Sequence, residues 1–199
     1  MILLFHAVAQ PGPYDGGTLK DRIGVLQRYV PLLKNVAKSD CPVALALASG
    51  GTRVLNLVKR DYEIRFYKNY TAENTVDCAL AKLDSADLVK PAILEIGEIK
   101  GINDIKPGQK VQKSGRTTGL TSGVVKSIGT TLQVEMKEEE KVWFSDQVVT
   151  DMPSQPGDSG ALILNEKCEV VGLLFAGSDK LTIFNRISNI VERLGIEFV

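Results

Sequence analysis

From residue 74 onward the chain is a succession of short apolar runs broken by glycine turns, at 76–83, 93–99, 110–113, 123–128, 131–136, 142–149, 161–164, 170–175 and 181–184. Runs this short, closely spaced and without helices between them, predict an all-β protein of antiparallel barrels rather than alternating strands and helices. Two segments follow a different rule. Residues 41–60 are rich in Ala and Leu, which favours helix, and predict a helical insertion within about 36–70. At the C-terminus Ile187, Ile190, Val191 and Leu194 recur at i, i+3, i+4 and i+7, predicting a last helix with Asn185 as its cap and Gly195 as its end. Earlier, residues 10–17 hold two prolines and three glycines and can only be loop. Ile23, Leu26, Val30 and Leu33 fit an irregular strand or a short helix equally.

Composition narrows the functional classes. The 199 residues are 44% hydrophobic, enough for a sizeable core, which excludes bulk disorder. The 24 basic residues balance the 24 acidic ones, so no field gathers nucleic acid or an anionic membrane surface. No apolar stretch approaches the roughly 20 residues a membrane span requires. Residues 1–5 are apolar but lack a positive leader, so neither a signal peptide nor a membrane partner is expected, and the predicted location is cytoplasmic. Cys41, Cys78 and Cys168 are far apart and accompanied by one histidine, His6. They read as free thiols, and no metal or other cofactor is predicted.

The chemistry concentrates in Pro156-Gly157-Asp158-Ser159-Gly160. A serine between glycines, ending a loop just before an apolar strand, can be held with its hydroxyl exposed. The backbone N–H groups of Gly157 and Ser159 then supply two donors for a tetrahedral oxyanion. The same pentapeptide is also ordinary β-turn chemistry. Asp77 opens an otherwise apolar run, where a carboxylate needs partners unless it is a strand-end turn residue.

Five segments taken together go further: Gln10-Pro11-Gly12-Pro13-Tyr14-Asp15-Gly16-Gly17, Val76-Asp77-Cys78-Ala79-Leu80-Ala81, Gly115-Arg116-Thr117-Thr118-Gly119-Leu120-Thr121, Pro156-Gly157-Asp158-Ser159-Gly160 and Leu173-Leu174-Phe175-Ala176-Gly177-Ser178. In this order they resemble the trypsin-like serine peptidases, specifically the bacterial branch related to the plant narrow-leaf protein. The resemblance implies two chymotrypsin-like barrels forming one peptidase domain. Residues 1–100 would be the N-terminal lobe with the insertion, and 101–199 the lobe carrying the nucleophile. It implies Ser159 as nucleophile, Asp77 as the carboxylate orienting the general base, and Gly157 with Ser159 as the oxyanion hole. Asp158 would be buried and structural. Ala176 and Gly177 would pair with the backbone of a peptide or protein substrate. Pro153, in the specificity loop, replaces any acidic residue and so favours a small or apolar side chain.

The general base is the open position. His6 follows an apolar run and precedes Asp77 and Ser159, the order His, Asp, Ser of this family. Only four positions separate it from Pro11, where the family has a longer strand and turn. Two readings stand: His6 is the base on a shortened hairpin, or it is an ordinary strand residue and the family's base belongs to a preceding segment. In the second case the chain is an inactive trypsin-like fold that binds peptides or proteins. A two-barrel domain uses about a dozen strands, and the count here predicts an incomplete first barrel whose exposed edges favour self-association.

Overall fold

The computed structural model describes residues 7–12, 15–33, 36–59, 61–69, 73–137 and 140–198. Its first strands are β1 (Ala7–Ala9), β2 (Arg22–Tyr29), β3 (Val36–Lys38), β4 (Tyr67–Asn69) and β5 (Ala79–Leu83), with helix α1 (Pro42–Val58) between β3 and β4. Two short strands follow, β6 (Ala92–Ile93) and β7 (Gly97–Glu98). The remainder comprises β8 (Lys110–Gly115), β9 (Gly119–Lys137), β10 (Glu140–Thr150), β11 (Leu162–Asn165), β12 (Val170–Gly177), β13 (Thr182–Arg186) and helix α2 (Ile187–Leu194).

The last six strands close into a barrel in the order β10-β13-β12-β11-β8-β9, and β1, β2 and β5 form a separate sheet in the order β1-β2-β5. The predicted all-β class, with a helix in the 41–60 region and another at the C-terminus, is what the chain adopts. By internal contacts it divides into two compact units. One contains the described residues of Met1–Leu32, Thr75–Leu132 and Phe144–Val199; the other contains those of Leu33–Asn74 and Gln133–Trp143. The first unit holds the three-stranded sheet, the barrel and α2. The second holds α1, the β3–β4 pair and the adjoining parts of β9 and β10. Among the described residues no helix is long and apolar enough to cross a membrane, and Cys41, Cys78 and Cys168 are free.

Strand alternation fills the barrel. Val111, Val125, Val148, Ile163, Leu174 and Phe184 belong to one buried cluster. Each such side chain removed from water stabilises the fold by about 1.5–3 kcal/mol. A second cluster joins Val76, Leu164 and Val170 to Ile187, Ile190 and Leu194, the apolar face of α2. Gly195 ends that helix with a φ of +58°.

The structure corrects several local expectations. Asn185 does not cap α2: it lies within β13, Arg186 occupies the cap position without a side-chain bond, and the Asn185 amide is buried in a polar network described below. The run 93–99 is a tight hairpin, in which the Ile96 N–H donates to the Ile93 carbonyl and β6 pairs β7. The runs 123–128 and 131–136 are one strand, because Gly129, with a φ of +65°, falls inside β9 without ending it. The ambiguous stretch beginning at Ile23 is a strand, held between β1 and β5.

Candidate active site

The loop between β10 and β11 is built around one buried carboxylate. Asp158 is only 2% exposed, and both its oxygens are saturated. Oδ1 accepts from the N–H groups of Thr117 (2.8 Å) and Thr118 (3.1 Å). Oδ2 accepts from the Thr118 hydroxyl (2.7 Å) and the Gln155 N–H (3.0 Å), and faces the Lys113 ammonium at 3.3 Å. Burial alone would raise the Asp158 pKa, but the Thr118 hydroxyl and the three amides outweigh it and hold the carboxyl well below its ordinary range. Gly115 admits this carboxylate to the β8–β9 turn, since a Cβ there would lie 2.4 Å from Asp158 Oδ1. The Gly-Arg-Thr-Thr segment therefore has a physical reading: a glycine for close approach, then two successive amides and a hydroxyl to bind the anion.

This clamp fixes the residues on either side of Asp158. Gly157 has a φ of +105°. Among the described residues no acceptor meets the N–H of Gly157 or of Ser159, although the flanking amides of Asp158, Gly160 and Ala161 are all bonded to backbone carbonyls. Two unoccupied donors thus flank the buried aspartate in an exposed loop, both free to bond an oxygen acceptor from outside the chain. The Ser159 side chain is exposed, with its hydroxyl 3.4 Å from the Phe175 carbonyl.

Phe175 leads to Ala176 and Gly177 at the end of β12. Strand β11 pairs β12 as far as Leu173, and the Gly160 N–H continues the ladder to the Leu174 carbonyl. Beyond that point β13 is the strand partner of Ala176 and Gly177 among the described residues, so their other edge is open beside Ser159, suited to adding a peptide strand. Pro153 is exposed, and its carbonyl accepts from the Thr121 hydroxyl at 3.2 Å. Behind it the buried hydroxyls of Ser154 and Thr182 meet at 2.8 Å, and Thr182 also donates to the Met152 carbonyl at 2.6 Å.

Asp77 sits just before β5, half-buried, and burial raises the pKa of its carboxyl. Its N–H donates to Asn185 Oδ1 at 3.0 Å. The Asn185 side-chain amide donates to Gln147 Oε1 at 2.7 Å, and Gln147 Nε2 donates to the Thr75 carbonyl at 2.9 Å. Residues 75–77 are thus held on β10 and β13 by side chains rather than by a strand ladder, which is why β5 begins only at Ala79. Replacing Asn185 with Leu leaves the Asp77 N–H and the Gln147 Oε1 atom without their partner, while Gln147 Nε2 keeps the Thr75 and Ser145 carbonyls. The expected cost is about 1–3 kcal/mol, read as a lower denaturation midpoint with an unchanged slope. Beside Asp77, burial pushes the Cys78 thiol up to about 11, so it is not a reactive thiolate at neutral pH.

Ser159, Gly157, Ala176 and Gly177 are brought together around one loop and one strand end. Asp77 belongs to a separate network, and no hydrogen bond joins its carboxylate to Ser159 among the described residues. His6 lies outside the described residues. Sequence reasoning missed Lys113, Asn185 and Gln147. Lys113 was findable: Val111 and Lys113 share one face of β8, and a lysine in register with a buried valine requires a buried anion.

No family model matches the chain. Its sequence is 37% identical over 101 residues to a probable periplasmic serine endoprotease, DegP-like, of Pseudomonas fluorescens; the match covers 49% of this chain and 18% of that protein. Among solved structures it is similar to protease A of Thermobifida fusca, 24% identical with a TM-score of 0.54, over 66% of this chain and 71% of that one. It is also similar to a chymotrypsin of Cellulomonas bogoriensis, 20% identical with a TM-score of 0.52, over 68% of this chain and 74% of that one. The fold is therefore chymotrypsin-like, and the chain spans less than a fifth of the length of the curated relative it matches.

Proposed function

We propose that this chain is a serine endopeptidase that cuts peptide bonds of polypeptide substrates through an acyl-enzyme on Ser159. The observation that carries the proposal is the Asp158-anchored loop, in which the exposed Ser159 hydroxyl accompanies two unbonded backbone donors, the N–H groups of Gly157 and of Ser159 itself. Ser159 Oγ adds to the scissile carbonyl carbon while a base takes its proton. The oxyanion is held by the N–H groups of Gly157 and Ser159. The proton passes to the departing amine as the C–N bond breaks, and water then releases the acyl group by the same steps in reverse. His6 is the proposed base and Asp77 the group that orients it. Ala176 and Gly177 pair with the substrate backbone. With Pro153 where an acidic residue would select Arg or Lys, and with the Ser154 and Thr182 hydroxyls engaged with each other, an uncharged side chain is favoured next to the cleaved bond. This chemistry uses protein groups alone and calls for no cofactor.

Labelling by a fluorophosphonate serine probe tests the reading. The intact protein is expected to label, Ser159→Ala to abolish the signal, and His6→Ala to reduce it by a factor of about 10³ or more. Absence of labelling in the intact protein, together with saturable binding of unstructured peptides, would overturn it in favour of an inactive peptide-binding fold.

A further inference from the structure

The Pro/Gly-rich loop at residues 10–17 has no part in the chemistry above, yet it is a constructed feature. The Asp15 and Gly17 N–H groups both donate to the Gly12 carbonyl, at 2.9 and 3.1 Å, and the Gln10 N–H closes the loop onto the Asp21 carbonyl at 3.0 Å. Thr18 and Asp21 complete a capping box immediately after it. What the loop presents is the Asp15 carboxylate, which accepts from Arg116 Nε at 2.9 Å and from Arg116 Nη2, a two-pronged pair across 101 positions of sequence. Hydrogen bonding to Arg116 holds the Asp15 carboxyl below its ordinary range.

Arg116 is itself part of the active-site scaffold. It opens the turn whose next two residues bind Asp158, its Nη1 lies 3.4 Å from Thr117 Oγ1, and Thr117 Oγ1 donates to the Pro156 carbonyl at 2.8 Å. A Cβ on Gly157 would lie 3.2 Å from Arg116 Nη1, so the guanidinium packs directly against the proposed oxyanion loop. Isolated surface ion pairs contribute little, but two-pronged arginine–carboxylate geometry restricts orientation as well as distance.

We infer that Asp15 is a positioning residue: through Arg116 it sets the 116–118 turn and thereby the alignment of the Gly157 and Ser159 amides. The inference rests on the peptidase reading for its catalytic consequence, but not for its structural one. Asp15→Asn, Arg116→Gln and the charge-swapped double substitution Asp15→Arg with Arg116→Asp test it by two measurements. The first is amide hydrogen exchange of Thr117 and Thr118, with the Val148 amide reporting that the barrel is intact. The second is the rate constant for fluorophosphonate labelling. Each single substitution is expected to speed exchange at Thr117 and Thr118, and to slow labelling, by about fivefold, with the double substitution recovering most of both. High salt should slow wild-type labelling toward the Asp15→Asn value and leave the variant unchanged. Exchange and labelling identical to wild type in both single variants would overturn the inference, as would a charge swap that restores neither. A wild-type protein that does not label at all counts against the peptidase reading, while the exchange measurement still decides the role of the pair.

Discussion

Asp158→Ala is expected to destabilise the fold by about 3–5 kcal/mol, the range found when one partner of a buried ion pair is removed. Lys113 loses its carboxylate at a site where its side chain has no exposure to water, and the Thr117, Thr118 and Gln155 amides lose their acceptor. The denaturation midpoint should fall with the slope unchanged, and serine-probe labelling should fall with it even where the protein remains folded. Combining Asp158→Leu with Lys113→Met should recover stability relative to Asp158→Ala but not labelling, since the apolar pair removes the unpaired charge without restoring the amide acceptor. The pH dependence has a definite sign. The folded-state pKa of Asp158 is depressed from an ordinary 3.8, so its stabilisation is complete above about pH 4 and is lost as the pH falls toward the folded-state value. The stability gap between wild type and Asp158→Asn should therefore be constant near neutrality and shrink below about pH 4. A gap that persists unchanged into acid would show that the carboxylate's charge is not what the loop requires.

The features that could be read from the sequence are those set by local pattern. The short apolar runs 142–149 and 170–175 are strands, and α2 follows from the spacing of Ile187, Ile190 and Leu194. The exposed loop around Ser159 was legible because glycines on both sides of an Asp-Ser pair limit what its backbone can do. What local pattern could not supply are choices settled by distant partners. Asn185 has the chemistry of a helix cap, but a buried amide bonding both Gln147 and the Asp77 backbone satisfies more groups than a cap would, so β13 runs through it. The run 76–83 reads as one strand by composition, yet side chains from β10 and β13 bond the backbone of Thr75 and Asp77, and β5 begins only at Ala79. Asp15 and Arg116 were visible only as members of two separate motifs. Their pairing depends on the β1–β2 loop meeting the β8–β9 turn, which no spacing rule encodes.

Gly157→Ala should have the larger catalytic effect, at a stability cost close to that of a matched glycine substitution. The added Cβ would lie 2.3 Å from Thr117 Oγ1, at a backbone φ of +105° that disfavours any side chain. Relief requires either rotation of the peptide, which turns the Gly157 N–H away from the oxyanion, or displacement of Thr117, which breaks its bond to the Pro156 carbonyl. Both outcomes remove or misalign one of two oxyanion donors, and loss of one such donor typically slows turnover by about 10²–10³-fold. Gly160→Ala is the matched comparison. Its φ of +91° imposes similar backbone strain, but nothing lies within 4 Å of the added methyl group. Strain of this kind costs about 1–3 kcal/mol in either variant. Labelling and peptide hydrolysis should therefore fall at least tenfold further in Gly157→Ala than in Gly160→Ala, at similar denaturation midpoints and with KM little changed, because the lost interaction forms only as the carbonyl becomes tetrahedral. Equal rates in the two variants would mean that the Gly157 N–H does not face the reacting carbonyl, and that the two open donors beside Ser159 serve the loop's own geometry rather than catalysis.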